Sequence, residues 1–65
     1  MVEKIGINAG KVWTQLDKKG RMNVKDLRKV VKLTEKDAYA AFGWLAREEK
    51  IILEKVDKDF FVELC

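Results

Sequence analysis

Four cations, Lys25, Arg28, Lys29 and Lys32, recur at helical spacing and fall within an arc of about 100° on a helix, opposite Val24, Leu27, Val30 and Val31. Ammonium and guanidinium groups gathered on one face suit phosphate oxygens, whose condensed counterions they displace. The plain alternative is a solubilising face, which is what charged faces of surface helices usually are. A second set, Lys36, Ala40, Gly43 and Arg47, lines one stripe of the next helix, with Tyr39 and Trp44 on its flanks. Two small residues between two cations permit close approach of a large surface, and Lys36 and Arg47 suit phosphates or guanine edges. Gly43 costs about 1 kcal/mol relative to alanine in a helix interior, so it calls for a reason: an approaching partner, or room for a neighbouring side chain. Against the first reason stands the local charge. From Thr34 to Lys50 the cations Lys36, Arg47 and Lys50 face the anions Glu35, Asp37, Glu48 and Glu49.

Catalysis finds little to work with. The chain has no histidine and no serine, and its one cysteine is Cys65, the last residue. The usual serine, cysteine and histidine nucleophile-base pairs are therefore not offered, nor are a disulfide framework and a thiolate or imidazole metal site. Glu48 and Glu49 lie on different faces of a helix, and there is no glycine-rich phosphate loop. The expectation is a non-enzyme with no cofactor and no metal. A net charge of +3 and a pI near 9.1 are compatible with nucleic acid without requiring it. No apolar run approaches the ~20 residues of a membrane span, and no signal peptide is evident. A cytoplasmic protein with one domain over residues 1–65 is expected.

The elements that would position these side chains follow from capping residues and periodicity. Asn8 reads as the cap of a first helix over Ala9 to Lys18, with Ile7 stapled onto Val12. Ala9, Val12, Trp13 and Leu16 gather on its inner face, so Trp13 is expected in the core. Gly20 suits the left-handed position after the helix, and Arg21-Met22 reads as a short strand. Asn23 then caps helix 2, Val24 to about Lys32, and Thr34 caps helix 3, which runs to about Glu49 with Ala38, Phe42 and Leu45 inward. Two helices joined by so short a junction form a helix-turn-helix. After Lys50 the period changes from 3.6 to 2. Ile51 and Leu53 alternate with Ile52 and Glu54, and Phe60, Val62 and Leu64 share one face of a second strand. The expected fold is α+β: a winged helix-turn-helix of three helices followed by a β-hairpin wing.

The residues Ala9-Gly10, Val12-Trp13, Leu16, Gly20, Leu27, Leu33 and Ala41, and above all the run Gly43 to Glu48 (GWLARE) with Lys50-Ile51, resemble a small bacterial and archaeal family of winged helix-turn-helix proteins of unknown function. The resemblance covers nearly the whole chain. It implies the fold and, since the family has no established ligand, carries over no functional residue. Glu49 stands where the family more often has glycine, a departure expected to let helix 3 continue slightly further.

Function must come from the surface. In a helix-turn-helix the second helix lies across the nucleic-acid backbone and the third enters the groove, so the expected partner is double-stranded DNA, with a role in transcription. The wing argues the other way, because Glu54, Asp57, Asp59 and Glu63 outnumber Lys55 and Lys58, and only Lys58 is a plausible contact. The alternative is a protein-interaction or homodimerisation module. It would use Ile52 and Phe61, expected diagonal on the outer face of the hairpin if Val56 pairs with Asp59, together with Trp44.

Overall fold

A computed structural model describes residues 2–65. Three helices, α1 (Val2–Lys19), α2 (Val24–Val31) and α3 (Glu35–Arg47), pack against an antiparallel sheet of β1 (Met22–Asn23), β2 (Ile51–Val56) and β3 (Asp59–Leu64), ordered β1-β3-β2. The hairpin register pairs Ile51 with Leu64 and Val56 with Asp59, as the alternation of its side chains requires. Met22 pairs with Val62 and Asn23 with Phe61. The short strand therefore lies one residue later than Arg21-Met22. Asn23 serves twice, since its side chain also accepts from the N–H of Lys25 to cap α2 at 2.8 Å.

One core joins all layers. Ala9, Val12 and Leu16 of α1, Val24 and Leu27 of α2, and Ala38, Ala41, Phe42 and Leu45 of α3 meet Ile51 and Val62 of the hairpin. Thr34 caps α3 by accepting from the N–H of Asp37 at 3.2 Å. Gly20 takes φ 75° and donates its N–H to the Leu16 carbonyl at 2.7 Å, closing α1 as a left-handed terminator does.

Helix α1 departs most from expectation. It begins at Val2 rather than Ala9, so Asn8 is mid-helix and caps nothing, and Ile7 stands 62% exposed instead of stapled onto Val12. The helical period extends back through half-buried Ile5, and the first turns pack along α3, where Lys4 meets Asp37 at 3.2 Å. That packing outweighs the weak helix propensities of Gly6, Asn8 and Gly10. Trp13 is 40% exposed, because it lies about 70° from the centre of the buried arc of α1.

The C-termini of α2 and α3 use left-handed residues that are not glycine. Lys32 has φ 57° and Glu49 φ 58°, and α3 stops at Arg47 instead of continuing through Glu49. The Glu49 N–H donates to the Ala46 carbonyl at 3.0 Å and the Lys50 N–H to Leu45 at 2.9 Å. These two bonds define the Schellman termination. The glycine common here in the resembling family fits that geometry directly, while this chain imposes it on a glutamate.

Candidate nucleic-acid interface

Helix α2 presents its cations because Val24 and Leu27 are drawn into the core, which turns the opposite face outward. Lys25 and Arg28 turn toward the wing. They line a cleft of about 120 Å³ with Tyr39 of α3 and Lys58 and Phe60 of the hairpin tip. Four residues expected to bind nucleic acid, from three elements, thus share one concavity. The turn that presents Lys58 closes through Asp57 at φ 57°, a conformation aspartate tolerates better than most residues. Tyr39 is held in place by an edge-on contact with core Phe42, ring centroids 5.7 Å apart.

The cleft is not purely basic. Lys25 Nζ lies 3.8 Å from Asp59, and an Arg28 nitrogen lies 3.8 Å from Glu35. Arg28 Nε is sealed from solvent without a hydrogen-bond partner, so its guanidinium is incompletely satisfied. Beyond the cleft, Lys25, Arg28, Lys29 and Leu33 border a shallow groove, and Lys32 is exposed at the end of α2. The basic stripe therefore continues from the wing tip to the α2–α3 turn.

Helix α3 divides its stripe. Lys36, Gly43 and Arg47 are exposed and Ala40 is half-buried. A Cβ placed on Gly43 meets nothing within 4 Å, so this glycine makes room for no side chain among the described residues. Lys36 and Ala40 line a separate cleft with Lys4, Ile5 and Asn8 of α1. Lys4 and Asn8 escaped sequence reasoning because the helix start was placed too late; following the apolar period back through Ile5 would have brought both beside α3.

The residues proposed for a protein interface sit in different surroundings. Trp44, 38% exposed, lines a cleft of about 290 Å³ with Trp13, Gly6, Gly10 and Lys50. Ile52 and Phe61 are diagonal neighbours on the outer face of the sheet, as expected. Ile52 is 50% exposed, but Phe61 is half-covered by the Arg21 guanidinium 4.7 Å above its ring. Arg21 is held there by an ion pair with Glu54.

No helix among the described residues is long and apolar enough to cross a membrane, and none of their acidic or cysteine side chains form a cluster that could hold a metal. Comparison with known proteins agrees with the architecture. The chain is 37% identical, over 94% of its length and 90% of the relative's, to the uncharacterized protein MJ1608 of Methanocaldococcus jannaschii. The solution NMR structure of protein BT2368 from Bacteroides thetaiotaomicron superposes with a TM-score of 0.85 at 32% identity, covering 95% of this chain and 76% of that one. The family described as Winged helix-turn-helix domain (DUF2582) matches residues 1–64, and the chain belongs to that family.

Proposed function

We propose that this protein is a DNA-binding module with weak sequence specificity, acting in transcription. The observation that carries the reading is the gathering of Lys25, Arg28, Tyr39 and Lys58 around one cleft between α2, α3 and the wing tip, continuous with exposed Lys29 and Lys32. Helix α2 and the wing then contact phosphates, while the open stripe at Lys36, Ala40, Gly43 and Arg47 approaches the groove. Phosphate contacts position a protein without reading sequence, and this surface is richer in cations than in groups that discriminate base edges.

The test is anisotropy of a labelled random-sequence duplex across a salt series. Five phosphate contacts give a slope of log K against log salt of about −4.5, and Lys29→Glu with Lys32→Glu should flatten it by about 2. Neither lysine is in an ion pair among the described residues, so the pair can be reversed without breaking one. A slope that the double variant leaves unchanged defeats the proposal.

A second reading is supported by the exposed apolar surface of Trp13 and Trp44, which share one cleft: a protein-interaction or self-associating module that binds no nucleic acid. Trp44→Glu should then lower the sedimentation coefficient of the protein at high concentration. An unaltered coefficient removes self-association through this face.

A further inference from the structure

We propose that the cleft between the first turns of α1 and α3 binds a phosphate group, with the Asn8 carboxamide, the Lys36 ammonium and the N–H groups that open α3 as its donors. In one respect this rests on the function proposed above: if DNA is the partner, the phosphate is a backbone diester, and otherwise it is free phosphate.

At the head of α3, Thr34 satisfies the N–H of Asp37 through its hydroxyl and that of Ala38 through its carbonyl. The N–H groups of Glu35 and Lys36 have no partner among the described residues, at the positive end of a helix of 13 residues. Every helix has such an end. The independent observation is Asn8, which is 5% exposed and whose carboxamide makes no hydrogen bond among the described residues. Asparagine is a poorer helix former than alanine, so its place in the middle of α1 calls for a reason. Neither carboxamide atom is fully sealed, and the concavity that Asn8 lines is this one.

The cleft holds about 360 Å³, with polar Lys4, Asn8, Thr34, Lys36 and Asp37 on its border and apolar Ile5 and Ala40 completing its lining, room for a phosphate and several waters. The balance of charge around it favours an anion. Asp37 is compensated by Lys4 at 3.2 Å, which leaves Lys36 and the helix end unbalanced. Donors that arrive from two helices in divergent directions suit tetrahedral oxygens carrying formal charge. Lys36 and Ala40 also belong to the exposed α3 stripe, so a backbone phosphate seated here would fix the depth and register of α3 against a groove.

The experiment is an amide NMR titration of the labelled chain with sodium phosphate, and with sodium chloride at matched ionic strength, repeated on Asn8→Ala and Lys36→Gln. Phosphate alone should produce saturable shifts at the Asn8 side-chain NH₂ and the Glu35 and Lys36 amides. Asn8→Ala should weaken phosphate binding roughly tenfold while melting no lower than the parent, and Lys36→Gln, which removes a cation from the positive end of α3, should weaken it while melting at or slightly above the parent. Equal shifts in chloride, or undiminished phosphate affinity in Asn8→Ala, overturn the proposal.

A duplex arm separates the two sources. Loss of duplex affinity in Asn8→Ala assigns a backbone phosphate. Phosphate binding with these dependences and no duplex binding assigns free phosphate and removes the nucleic-acid reading alone. Duplex binding with a cleft that ignores phosphate overturns this inference and leaves the other standing.

Discussion

Replacing Glu49 by glycine is expected to stabilise the fold. Glu49 holds φ 58°, where an L-residue with a Cβ is strained by about 1–2 kcal/mol. It cannot relax, because its N–H and that of Lys50 are bonded to Ala46 and Leu45, and the Lys50 carbonyl accepts from Cys65 at 3.0 Å. Glycine removes the strain but loses more backbone entropy on folding, about 0.5–1 kcal/mol, leaving a net gain of about 0.5–1 kcal/mol. Removing a negative charge from the negative end of α3 adds about 0.3 kcal/mol, which Glu49→Gln measures alone. Thermal denaturation followed by circular dichroism should place Glu49→Gly roughly 2–8 °C above the parent and above Glu49→Gln. If Glu49→Gly melts at or below Glu49→Gln, the left-handed geometry is not where the strain resides, and the account of how α3 ends is wrong.

Gly43→Ala, whose new methyl meets open space, should raise stability by about 1 kcal/mol in urea denaturation and, on the proposed function, weaken DNA binding; a stabilised variant with unchanged affinity would show that α3 does not approach its partner closely at Gly43. Asp59→Asn removes the anion 3.8 Å from Lys25 and should raise duplex affinity severalfold at low salt, the gain shrinking as salt rises. Phe42→Ala empties the centre of the core and should cost about 3–5 kcal/mol, enough to collapse the amide dispersion of so small a domain. Arg21→Ala loses an exposed ion pair and the cover of Phe61 and should cost no more than about 1 kcal/mol by urea denaturation.

The elements with strong local signals were legible in the sequence. Asn23 and Thr34 cap the helices assigned to them, Gly20 ends α1, and the period change at Ile51 gives the hairpin and its register. What was misread depended on contacts between distant segments. Asn8 looks like a cap because its type favours one, yet it sits mid-helix where α3 covers it. Trp13 looks like core because it is large and correctly spaced, but a residue at the edge of an apolar arc is buried only if a neighbouring element covers it. Glu49 looks like permission to prolong α3, whereas the strand that must begin at Ile51 needs the chain to turn there. As for the candidate interface, the helical arc of Lys25, Arg28, Lys29 and Lys32 could be drawn from the sequence. The arrival of Lys58 and Tyr39 beside it could not, since that depends on how the hairpin folds over α2.

The charge balance changes meaning once it is placed in space. Along the chain, the acids of the wing count against a phosphate partner. In the fold, Asp59 faces Lys25 and Glu54 faces Arg21, so two of those acids offset cations instead of standing as an unbalanced negative edge. Each pair is exposed, and exposed pairs are worth about 1 kcal/mol or less. A phosphate reaching Lys25 therefore displaces Asp59 at little cost. Such pairs hold the side chains near the positions from which they would bind, and they mute the field that would attract any polyanion from a distance. A surface built this way favours short-range docking over long-range steering, which fits the weakly specific binding proposed for it.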